Sequence, residues 1–232
     1  MILSYLLSLV LGASSFFSPK FMEKFEKKKS RFASFTVGLA TVYVFLQLLP
    51  EAYQGISVFG ISIFVSTLIG FSIFHIGERL IIKYERKPKL RRDLGILHLA
   101  VFFFYHTIVG ITLVELLRTN LLSGILFALS LSFIYLTTSA LFEELHAQKG
   151  SHVLTKRIIS AGTFILGAAL ANFLPISKIL LYPSVGFVSG VLLYIIAKEV
   201  LPQYKASNPW YFSLGIVLYT TLILLLSFYG LI

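Results

Sequence analysis

The chemistry open to this chain rests on a few polar residues set among long apolar runs. Gln47-Leu48-Leu49-Pro50-Glu51 and Glu199-Val200-Leu201-Pro202-Gln203 each hold an acid and an amide at i,i+4, on one face of a helix, with a proline at the third step. Proline has no N–H, so a carbonyl one turn earlier loses its usual partner, Leu46 for Pro50 and Lys198 for Pro202. Carboxylate, carboxamide and free carbonyl oxygens are ligands of the kind a cation path uses. His106 adds one imidazole in the middle of an apolar stretch. It suits a metal or a proton, and its simpler role is a hydrogen bond to a neighbouring helix. The chain has no cysteine, so thiolate ligation is excluded.

The elements that position these residues follow from composition. Only 13% of the 232 residues are charged, about half the usual share, and 57% are hydrophobic. Mean hydropathy is +0.87. This excludes disorder, a disulfide scaffold and a water-soluble enzyme. A bilayer core of about 30 Å needs about 20 apolar residues per crossing helix. By that criterion eight segments span, at 1–18, 33–54, 56–78, 94–117, 121–142, 158–175, 180–201 and 210–231. The connections leave no room for a soluble domain, so residues 1–232 form a single polytopic unit. Long apolar runs such as Leu121 to Leu136 do not show the alternation of a β-barrel.

The cations set the orientation. Lys20 to Arg31, Arg79 to Arg92, Lys149 to Arg157, and Lys198 with Lys205 fall on one side. Of 20 cations only Arg118 and Lys178 fall on the other, which leaves 18 together. Basic loops stay in the cytoplasm, so both termini are expected outside. The net charge of +10 is thus a topology signal and not a nucleic-acid footprint. The first segment has its cations after the apolar run, the reverse of a signal peptide, so it is expected to remain as a span.

Other polar residues read as structural. Glu78, Glu143 and Glu144 sit at inner helix ends, and Glu115 pairs with Arg118 at i,i+3, so all four are expected to be solvated or locally paired. Ser130, Ser132, Tyr135, Thr137, Thr138 and Ser139 on the fifth segment suit close packing and interhelical hydrogen bonds, or a polar path. Gly186-x-x-x-Gly190 is a small-residue contact motif, and Gly162 and Gly167 look like close-packing positions. His75 lies near an inner end, and His98 is about 80° around the helix from His106. His146 and His152 flank a basic loop, too few for a metal-binding tract.

The two proline motifs lie on segments that run in opposite directions, the pattern of an inverted repeat with segments 1–3 matching 6–8 around 4–5. Gln47 to Ala52 resembles the His-Leu-Leu-Pro-Glu-Ala signature on the second helix of ZIP-family divalent metal transporters, with Gln47 in place of histidine. Leu193 to Gln203 is similar to that family's seventh helix. Eight helices with both termini outside is also the ZIP topology. The resemblance implies divalent cation transport, zinc included, through a multi-pass protein of the cell membrane.

The family's metal ligands are largely replaced. Its His-Asn-x-x-Asp-Gly on helix 4 matches Tyr105, His106, Val109 and Gly110, and its His-Glu-x-Pro-His-Glu on helix 5 matches Ile134 to Ser139, with no histidine or carboxylate. The usual two-metal site is therefore not expected. The candidate ligands are His106, Glu51, Gln47 and Glu199, expected to approach a central path between helices 2, 4, 5 and 7. No resident cofactor is implied; the divalent ion is substrate. The expected partners are the bilayer and that ion, with no nucleic acid, and a homo-oligomer is left open.

Catalysis is not expected. Glu143-Glu144 and Phe102-x-x-x-His106 are similar in residue type to intramembrane CAAX-type proteases, but no arginine follows the glutamates at that pattern's spacing and His106 precedes them instead of following. The second reading of the sequence is a ZIP-fold protein that no longer transports and acts in binding or scaffolding.

Overall fold

A computed structural model describes residues 1–25, 28–84, 88–145, 153–174, 178–200 and 208–231, apart from the side chains of 81–82, 88–98, 138–145, 153–157, 178–179 and 199–200. The described residues are helical almost throughout, with no strand. In chain order the helices are α1 (Ile2–Lys24), α2 (Lys29–Tyr43), α3 (Leu49–Gln54), α4 (Ile56–Phe59), α5 (Ile63–Lys83), α6 (Pro88–Thr119), α7 (Leu121–Leu145), α8 (Val153–Phe173), α9 (Lys178–Val200) and α10 (Pro209–Phe228). A π turn at Val44–Leu48 joins α2 to α3, and a 3-10 turn at Gly60–Ser62 joins α4 to α5.

Among the described residues, five stretches are long and apolar enough to cross a membrane: Ile2–Lys24, Lys29–Leu80, Leu99–Thr119, Leu180–Lys198 and Pro209–Phe228. Leu121–Thr137 and Ile158–Phe173 are shorter apolar helices. The outer surface carries many exposed large apolar side chains, among them Leu6, Leu68, Val217 and Leu224, as expected where lipid is the solvent.

Local signals end the helices where the chain must turn. Asn208 caps α10, its Oδ1 accepting from Trp210 N at 3.2 Å, and Pro209 opens the first turn, where no N–H is needed. Asn120, the one residue between α6 and α7, accepts from Leu122 N at 2.9 Å and Ser123 N at 3.1 Å. Gly60 takes φ +58°, a conformation that side chains rarely adopt, at the bend before α5.

Packing is pairwise. α5 lies along α9, α6 along α8, and α2 along α10, while α1 packs against both α7 and α8. Smaller contacts join α2 to α7 and α6 to α9. Glycines set three of these crossings, and the geometry is the same each time. A Cβ on Gly38 would stand 2.2 Å from Phe212 O, and one on Gly215 2.3 Å from Phe35 O. Gly70 meets Phe187 O at 2.2 Å, and Gly190 meets Thr67 O at 1.9 Å. Gly110 meets Phe164 O at 2.3 Å, and Gly167 meets Thr107 O at 2.1 Å. Each glycine faces the carbonyl three residues before its partner glycine, so the two backbones touch directly. Without a hydrophobic force between helices in lipid, such approach supplies dispersion and Cα–H···O contacts.

The close-packing expectation holds for Gly167, Gly186 and Gly190, but Gly162 faces open space. The core between the pairs is aromatic: Tyr43, Phe74, Tyr105, Phe127, Phe164 and Tyr219 are all fully buried.

Candidate functional site

His106 lies at mid-helix in α6 and is buried. Its surroundings come from α6, α7 and α8. Phe164 of α8 stacks on the imidazole with ring centroids 4.2 Å apart, and Tyr135 of α7 meets it edge-on at 5.3 Å. Phe102, one turn earlier in α6, closes another side at 5.7 Å. Nδ1 shares a hydrogen bond of 3.0 Å with Ser160 Oγ on α8. Nε2 is buried and has no hydrogen-bond partner among the described residues. The buried hydroxyls of Tyr105 and Tyr135 also lack a partner of good geometry there.

The sequence places His106 correctly as a buried group bonded to a neighbouring helix, but it does not identify the neighbour. The hydrogen bond to Ser160 orients the ring and leaves one nitrogen for a ligand or a proton. A neutral imidazole beside two phenols is a weak set for a divalent ion, since phenols ligate strongly only when deprotonated and no anion offsets the charge. No group of three or more His, Cys, Asp or Glu side chains that could hold a metal occurs among the described residues.

Gln47 and Glu51 sit on the α2–α3 segment, which packs along α9. No hydrogen bond among the described residues joins either of them to His106. Gln47 Oε1 is buried without a partner among the described residues, whereas Glu51 is half-buried and accepts from Gln54 Nε2 at 3.3 Å. The Glu199 side chain and residues 201–207, which hold Pro202 and Gln203, lie outside the described residues.

Pro50 acts differently from the simple loss of one bond. The helix before it widens into the π turn, and Leu49 N–H bonds Val44 O, five residues back. One extra residue is thus taken up between Tyr43 and Pro50, which turns the helix before Gln47 relative to the segment that follows. Pro50→Ala supplies the missing donor and lets the turn close. The expected result is a rise in Tm of roughly 2–4 °C, about 1 kcal/mol, read by thermal unfolding of the purified protein in detergent.

The remaining polar residues divide. Ser130 Oγ and Tyr219 OH share a hydrogen bond of 2.6 Å between α7 and α10, while Ser132 and Thr137 bond carbonyls of their own helix. The side chains of Thr138, Ser139, Glu143, Glu144 and His98 lie outside the description, as do residues His146 and His152. His75 is exposed, stacks on Phe71 and meets Tyr194 edge-on. Glu115 pairs with Arg118 as its spacing indicates, and Arg118 also reaches Ala171 O at 2.8 Å, tying α6 to α8.

Glu78 departs from its expected role as a solvated or locally paired end. It is buried, accepts a hydrogen bond from Tyr194 OH, and pairs with Lys198 Nζ at 2.8 Å. Both partners come from α9, which sequence spacing along α5 has no means to show. No protein-family model matches the chain, and no curated protein matches it.

Proposed function

We propose that the chain is an eight-span, ZIP-like protein of the cell membrane that carries a divalent cation along a path centred on His106, with the family's usual ligand cluster replaced. The observation that carries this reading is the symmetry of helix pairing. Exchange α1 with α8, α2–α3 with α9, α5 with α10, and α6 with α7. The α5/α9 pair then becomes α10/α2, α6/α8 becomes α7/α1, α2/α7 becomes α9/α6, and α1/α8 maps onto itself. An inverted repeat around α6 and α7 has this property.

The sequence supports the same exchange over a longer stretch than the proline motifs alone. At one constant separation, Phe35 matches Phe187, Gly38 matches Gly190, Leu49 matches Leu201 and Pro50 matches Pro202. Between them Gln47 stands against Glu199 and Glu51 against Gln203, so acid and amide trade places. In α5 and α10, Phe74 and Tyr219 each follow the crossing glycine by four residues, and both are fully buried.

A buried imidazole in the middle of the first helix of the repeat's central pair, beside two phenols and with one nitrogen unbonded among the described residues, supports a path that handles a cation weakly and in passing. A second reading, a non-transporting binding or scaffolding protein, is favoured by the lack of a metal-holding cluster among the described residues. Uptake of zinc or manganese into proteoliposomes separates the two, since the carrier reading requires flux above protein-free vesicles.

The topology has its own test, which the cysteine-free sequence makes simple. Single cysteines at Thr119 or Gly230 are expected to react with an impermeant thiol reagent in intact cells. Those at Lys28 or Lys83 are expected to react only after permeabilisation. The reverse labelling contradicts outward-facing termini.

A further inference from the structure

Glu78 is a buried carboxylate held from a different helix, and its environment resembles a cation site more than a helix end. Two oxygens of Glu78 are engaged, one by the Lys198 ammonium at 2.8 Å and the other by the Tyr194 hydroxyl. The Glu78 side chain is 9% exposed and that of Lys198 18%, so both charges are largely withdrawn from solvent. Tyr194 packs edge-on against Phe71, and Phe74 lies between Tyr194 and Tyr105, next to the His106 pocket. The cluster therefore adjoins the candidate path through one layer of aromatic rings. It lies toward the end of α5 and α9 that carries Arg79 and Lys83.

We propose that Glu78 and Tyr194 form a monovalent-cation site between α5 and α9, which the Lys198 ammonium fills in place of a free ion. The reading rests on the chain being a cation carrier, where such a site would hold a coupling ion. One carboxylate balances one positive charge, and the phenol oxygen keeps a lone pair for a cation while its proton bonds Glu78. A divalent ion would leave a net positive charge buried on the side already rich in Arg and Lys. A primary ammonium on a four-carbon stem reaches the site, carries a charge of one and pairs with the Glu78 carboxylate. A lysine so placed removes the need for an external coupling ion.

The test uses the full chain purified in detergent, with thermal unfolding in ammonium, potassium or manganese(II) chloride against choline chloride at equal ionic strength. Lys198→Ala opens the site, and its Tm is expected to rise by roughly 5 °C in ammonium or potassium. Wild type and the Glu78→Gln/Lys198→Ala double variant are expected to show no difference from choline. No rise in Lys198→Ala, an equal rise in the double variant, or a rise with manganese alone overturns the proposal. If Lys198→Ala accumulates poorly, its yield in ammonium against choline buffers gives the same reading, and equal yields overturn it. The assay measures binding without flux, so a failure to transport divalent ions contradicts the carrier reading and leaves this result standing.

Discussion

Replacing Gly190 with valine is expected to abolish the folded protein. The Cβ alone would stand 1.9 Å from Thr67 O, and the neighbouring contacts are Thr67 C at 2.8 Å and Phe71 N at 2.9 Å. All three are backbone atoms, so no side chain can swing aside. Relief requires α5 and α9 to separate, which also breaks the reciprocal approach of Gly70 to Phe187. Overpacking a tight core costs about 1–3 kcal/mol, and a backbone collision at a helix crossing belongs at or above the top of that range. Gly190→Ala is expected to lower Tm strongly and Gly190→Val to remove the monodisperse peak in size-exclusion chromatography of solubilised protein. Gly162→Ala is the control, because no atom lies within 4 Å of its new Cβ, and it should behave as wild type.

The second large effect is an asymmetry in the Glu78–Lys198 pair. Removing one member of a buried ion pair leaves the other charge uncompensated and costs about 3–5 kcal/mol. Lys198→Met in a choline buffer is therefore expected to lose most of its folded yield. Glu78→Gln is milder: the amide still accepts from Tyr194, and the lysine stem can carry its ammonium toward the aqueous interface. The double variant Glu78→Gln/Lys198→Met should recover much of the loss, because two neutral groups no longer oppose burial. Thermal unfolding of the four proteins gives the coupling directly. Equal damage from the two single variants would show that the pair acts only as packing.

The apolar helices were legible because runs broken at Asn120 and Asn208 leave few other ways to satisfy a backbone in lipid, whereas the break at Gly60 falls inside the expected span 56–78. The contact role of Gly186 and Gly190 was also legible. The wider glycine pattern was there to be read: Phe35, Thr67, Thr107, Phe164, Phe187 and Phe212 each precede a glycine by three residues. No single occurrence is informative, and only the structure shows that they meet in three reciprocal pairs. Partners on other helices were not legible. Ser160 and Phe164 reach His106, and Tyr194 and Lys198 reach Glu78, through the register between helices, which spacing along one helix does not encode. At Pro50 the missing donor was evident, but the chain absorbs it by widening a turn, which the proline alone does not dictate.

The central claim, that a cation crosses the membrane past His106, is tested most directly by uptake of zinc and manganese into proteoliposomes holding wild type or His106→Ala at matched folded content. The account predicts flux in the wild type that falls at least about tenfold in the variant, the loss of roughly 1.4 kcal/mol of transition-state stabilisation or more. Equal flux in the two proteins, or none for either ion in the wild type, would contradict it.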